Sequence, residues 1–122
     1  MNLIPVGMGL AFAAVAGGLT LVALRLSRRR PPPALLFAHP AVGIAGLVCL
    51  WVAVVLWRGP RDLPLDAGTL VLSFAFVGGV FLFLLRLTRL PRPFFVVGLH
   101  GLIAFLGCAL LVIGFLHPPA VG

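Results

Sequence analysis

The chain has 122 residues, of which 62% are hydrophobic and only 9% charged. A water-soluble domain carries roughly a quarter charged residues, so this composition cannot cover a water-facing surface and points to a single domain dissolved in lipid. The net charge of +7 comes from nine arginines and no lysine, set against Asp62 and Asp66; the arginines fall in short breaks between apolar runs, as the positive-inside rule places them, and a nucleic-acid partner is set aside.

A membrane-spanning helix needs about 20 apolar residues, and four runs meet that length. The first extends from Leu3 to about Leu24. Its N-terminal flank, Met1 to Pro5, carries no basic residue, and positive charge follows the run instead. That order predicts a retained helix with its N-terminus outside rather than a cleaved signal peptide. Ser27 to Pro33 (S-R-R-R-P-P-P) breaks the helix. The second run extends from about Ala34 to Trp57, and Arg58 to Asp66 reads as a polar turn of near-zero charge. The third extends from about Ala67 to Leu87, followed by a second basic break from Arg89 to Pro93. The fourth extends from Phe94 to Leu116 and is ended by Pro118-Pro119. The expected fold is an all-α membrane protein, a bundle of four transmembrane helices.

Loop charge sets the expected topology. Arg25, Arg28, Arg29 and Arg30 flank the first break, and Arg86, Arg89 and Arg92 the third; Arg58 and Arg61 are offset by Asp62 and Asp66. The first and third loops are therefore expected in the cytoplasm and both termini in the periplasm of a bacterial inner membrane. Trp57 suits an interfacial anchor on the outer side.

Shifting the sequence by 61 positions aligns it with itself without a gap. Gly17-Gly18 falls on Gly78-Gly79, and Leu24-Arg25-Leu26-Ser27-Arg28 on Leu85-Arg86-Leu87-Thr88-Arg89. Pro32 falls on Pro93, His39 on His100, and Gly46 on Gly107. Matches at Gly, Arg, Pro and His say more than matches of Leu, and they predict two tandem two-helix repeats, about 1–61 and 62–122. Two spans per repeat give both halves one orientation, related by a pseudo-two-fold axis along the membrane normal. The second and fourth helices then stand diagonally opposite, as do the first and third.

His39 and His100 are the leading site candidates. Each lies five or six residues past its helix start, roughly 8–9 Å inside the cytoplasmic boundary at 1.5 Å per residue. Ionisable groups at membrane depth are costly and mark function by default. Two imidazoles at one depth on diagonal helices suit the axial positions of a single bis-His haem b. Gly18 and Gly79, about 10 Å in, are expected to leave room for the porphyrin edges, as are Gly43, Gly46 and Gly107 beside the histidines. Arg25 and Arg86 offer forked donors to propionates. Against this stands a packing reading: Ala14-x-x-x-Gly18 and Ala75-x-x-x-Gly79 are small-residue stripes of the kind that pack helices in lipid, and buried histidines can bond across helices.

Other chemistry is poorly served. Two histidines are too few for zinc, and Cys49 and Cys108 lie roughly 15 Å and 12 Å along their helices from His39 and His100. His117 has Leu56 as its repeat partner and reads as an interfacial, solvated histidine. No hydrolytic triad or paired carboxylates can be assembled.

With its helix count, paired histidines and nearby glycines, the chain resembles the small four-helix membrane b-type cytochromes, cytochrome b561-like in kind. The resemblance covers the bundle and no long motif. Two-haem members of that kind need four ligands; two buried histidines here imply one haem. The resulting expectation is an electron-transfer subunit without stand-alone enzymatic activity, working with larger membrane subunits and with a quinone. The alternatives are a cofactor-free accessory subunit and a small transporter with a histidine pathway.

Overall fold

The computed structural model describes residues 2–120. Four α-helices follow in chain order: α1 (Leu3–Leu26), α2 (Pro33–Leu56), α3 (Leu63–Leu87) and α4 (Phe94–Leu116). Each is long and apolar enough to cross a membrane, and there is no strand among the described residues.

Three of the four helices both begin and end within two residues of the sequence expectation. The exception is α3, which starts four residues before Ala67. Asp62 is its N-cap, accepting a hydrogen bond from the Leu65 amide at 3.0 Å. Pro64 stands in the first turn, where a missing amide costs nothing. Leu63 to Asp66 is thus helix, and the polar turn shortens to the few residues around Gly59 and Pro60.

The helices form a four-cornered bundle. α1 packs closely on α2 and α3 on α4; α2 meets α3, and α1 meets α4, more loosely; the remaining pairs are diagonal. Glycine allows the two close crossings. A Cβ on Gly46 would lie 3.1 Å from the Ala11 amide nitrogen and 3.1 Å from the Gly7 carbonyl oxygen. A Cβ on Gly68 would lie 3.0 Å from both the Gly107 carbonyl oxygen and the Leu111 nitrogen. The two crossings are 61 residues apart in sequence.

Both α1 and α3 end in the same way. Ser27 N–H bonds the Ala23 carbonyl and Arg29 N–H the Leu24 carbonyl, both at 2.9 Å; Thr88 N–H bonds Leu84 at 3.0 Å and Leu90 N–H bonds Leu85 at 2.8 Å. The turns need one left-handed residue each, supplied by Arg28 (φ 54°) and Arg89 (φ 57°).

The fully buried residues are confined to one half of the bundle. Met8, Leu50, Leu65 and Leu111 form the core cluster there. Residues 15–45 and 76–106, which include both arginine-rich loops, contain no fully buried residue. The aspartate end of the bundle is packed and the arginine end is open.

Candidate functional site

His39 and His100 lie on α2 and α4, the diagonal helices, in the open half. Their ring centroids are 6.3 Å apart, with the rings at 84° to each other. Each imidazole is held by the helix preceding its own. His39 Nδ1 is 2.8 Å from the Ala14 carbonyl oxygen, and His100 Nδ1 is 2.8 Å from that of Ala75. A carbonyl oxygen only accepts, so Nδ1 carries the proton and donates. Neither Nε2 has a hydrogen-bond partner among the described residues.

The glycines opposite the rings play a different part from the one expected. A Cβ on Gly18 would lie 3.1 Å from His39 Cε1, and one on Gly79 would lie 3.0 Å from His100 Cε1. The imidazoles themselves occupy the space expected for porphyrin edges. Gly17 and Gly78 complete each seat, with His39 Nδ1 and His100 Nδ1 at 3.7 Å from their Cβ positions. Sequence reasoning placed Gly18 and Gly79 at the site, beside the cofactor, and took Gly17 and Gly78 as repeat markers alone. Gly46 and Gly107 serve the helix crossings, and Gly43 faces the Ala14 methyl at 3.7 Å. These three do not border the imidazoles.

Two contacts flank the histidine pair. Phe37 of α2 and Phe83 of α3 meet edge to face, centroids 6.0 Å apart. On the other side Arg25 reaches from α1 to the α3–α4 loop, donating to the Arg92 carbonyl oxygen at 2.7 Å and lying 5.3 Å from the Phe94 ring centroid. Arg25 is therefore engaged with the protein. Arg86, its counterpart, is half-buried and has no side-chain hydrogen bond among the described residues. His117 lies outside the site; it is exposed at the end of α4, its Nδ1 3.3 Å from the Ile113 carbonyl oxygen.

The donor set can be tested against a shared metal. Two imidazoles bound through nitrogen at about 2 Å from one ion place their centroids roughly 6 Å apart, and the observed 6.3 Å agrees. Metal-bound histidines commonly donate their other N–H to a backbone carbonyl, which fixes tautomer and ring orientation. Both rings do so here. Two nitrogen donors at this separation are compatible with a bis-imidazole group, while the space against Gly18 and Gly79 is filled by the rings themselves. No group of three or more metal-ligating side chains exists among the described residues. Comparison with protein families, with curated proteins and with solved structures gives no match.

Proposed function

We propose that the chain is a four-span membrane subunit that carries electrons through one haem b held by His39 and His100. The observation that carries this reading is the pair of imidazoles facing across the diagonal at 6.3 Å, each with Nδ1 engaged on a backbone carbonyl and Nε2 available. The group would supply reversible one-electron chemistry. The protein's own part is to fix the tautomer through Ala14 and Ala75, to seat the rings on Gly-Gly pairs, and to surround the site with apolar side chains. Arg86 and the loop arginines present positive charge to anionic substituents at the arginine end. The subunit works with larger membrane subunits, and a quinone is its lipid-soluble partner.

The same reading takes the bundle as a tandem duplication in a bacterial inner membrane. Identical caps, glycine crossings and histidine bonds 61 residues apart support the duplication. Seven arginines at one end support a cytoplasmic location for that end.

A visible spectrum of the purified protein, supplied with haemin during reconstitution, tests the proposal. A low-spin band in the reduced-minus-oxidised spectrum is expected. It should be lost or become high-spin in His39→Ala and in His100→Ala, and persist in His117→Ala. Full haem occupancy in the His39/His100 double variant, or none in the unaltered chain, overturns it.

One observation favours a second reading, a cofactor-free accessory subunit. Each histidine already bolts its helix pair together through Nδ1 and the glycine seat, a role that needs no cofactor. A colourless protein whose histidine variants lose thermal stability alone answers to this description.

A further inference from the structure

The two loose seams of the bundle are not alike. Between α2 and α3, the partly exposed Trp51 donates its indole N–H across the seam to Ser73 Oγ at 2.9 Å. The matching positions between α1 and α4, 61 residues away, are Val112 and Phe12. Valine is smaller than the indole, and an open groove of about 200 Å³ lies there, lined by Phe12, Val15, Phe105, Cys108, Ala109 and Val112. Apart from the Cys108 thiol its lining offers no side-chain polar group, so the occupant is hydrocarbon. The cavity follows α4 from Phe105 to Val112, roughly 10 Å along the helix. A volume of about 200 Å³ over that length leaves a cross-section fit for one extended chain and too narrow for a cofactor.

A second cavity, of about 190 Å³, opens at the aspartate end; Ile4, Trp57, Asp62, Phe115, Pro118 and Pro119 are among its lining. It shares stripes with the first: Ile4 and Val15 are three turns apart on one face of α1, and Phe105, Cys108, Val112 and Phe115 form one face of α4. Its charged group is Asp62. One carboxylate oxygen caps α3, and Arg61 pairs with Asp66 instead, at 3.4 Å. Asp62 therefore has no cation partner among the described residues. A carboxylate beside the Trp57 and Phe115 rings favours an ammonium group.

From these two cavities we infer that the α1/α4 seam binds one phospholipid with an ammonium headgroup, phosphatidylethanolamine, its head at Asp62 and one acyl chain in the Phe12–Val112 cavity. Depth agrees with this. On α4 the chain cavity lies roughly 6–16 Å inside the aspartate end, and half of a hydrocarbon core of about 30 Å is about 15 Å. The lipid completes the seam that Trp51 completes on the other side. The inference rests on the bundle spanning a bilayer and is independent of haem.

The test reconstitutes the full chain into vesicles of phosphatidylethanolamine and phosphatidylglycerol. It then extracts the protein in mild detergent and counts retained lipid by native mass spectrometry. The unaltered chain should keep one phosphatidylethanolamine. Val112→Trp should reduce retention at least tenfold. Asp62→Asn keeps a competent helix cap and should hold lipid without headgroup preference. No retained lipid, or equal retention in Val112→Trp, overturns the inference. So does wild-type retention of the two lipids in vesicle proportion. A photo-reactive residue at position 105 that cross-links to protein in place of lipid gives the seam to a partner helix and overturns it too. A chain that does not float with the vesicles refutes the bilayer reading itself and the lipid site with it.

Discussion

A methyl group at Gly18 or Gly79 would press on an imidazole ring edge at 3.1 Å or 3.0 Å. Extra methyls in filled sites cost about 1–3 kcal/mol. Gly18→Ala and Gly79→Ala should therefore each displace a ring and weaken haem retention about tenfold, since about 1.4 kcal/mol is a factor of ten. Gly98 and Gly101 are the controls, with nothing within 4 Å of their Cβ positions. Alanine there should be neutral or stabilising by up to about 1 kcal/mol, through helix propensity alone. Thermal melts and haem titrations of the four variants check this, and equal behaviour of Gly18→Ala and Gly101→Ala would refute the seat. The histidine pair was legible because a repeat makes an isolated histidine conspicuous twice. Its acceptors were not, because any helical carbonyl is a potential partner and only the crossing geometry selects Ala14 and Ala75. The Arg25 contact was hidden for a related reason: sequence shows its depth but not the Arg92 carbonyl within its reach.

The helix ends repeat a small strain. Arg28 and Arg89 hold left-handed backbone that glycine adopts freely. Arg28→Gly and Arg89→Gly should each raise stability by roughly 0.5–1 kcal/mol, measured as a higher melting temperature in the same detergent. A drop in both would show that the arginine side chains contribute more than the strain removes. Within the helices, the crossings decide which glycines matter. Gly68 faces backbone atoms at 3.0 Å on the partner helix, which cannot rotate aside. Gly68→Ala should therefore cost about 1–3 kcal/mol and loosen α3 from α4, whereas Gly9→Ala, with open space around it, should not. Spans were legible from hydropathy because an apolar run longer than a bilayer is thick has few other uses. The start of α3 was not, since Asp62 to Asp66 reads as loop by polarity. The signal that marks it as helix is the cap, Asp62 followed by Pro64, and it outweighs the charge of Asp66.

For the whole molecule, arginine placement predicts orientation. Ser27→Cys should be labelled by membrane-impermeant thiol reagents only from the cytoplasmic side, and Asp66→Cys only from the periplasmic side, in a background with Cys49 and Cys108 replaced. Labelling of Ser27→Cys in intact cells reverses the assignment and leaves the four spans untouched. The four apolar helices were legible in the sequence as four long apolar runs. The unequal seams did not follow, since Trp51 and Val112 are both unremarkable residues within apolar runs until the neighbouring helix is in place. The close pairing of α1 with α2 and of α3 with α4 carries one more consequence. Each hairpin makes its tightest contacts with itself, so the first can finish packing before the ribosome has delivered the second. Severing the chain at Gly59-Pro60 and expressing the two pieces together should rebuild a stable complex that co-purifies. The molecule would then assemble as a dimer of unlike halves, a record of how a single hairpin could have begun as a pair of copies.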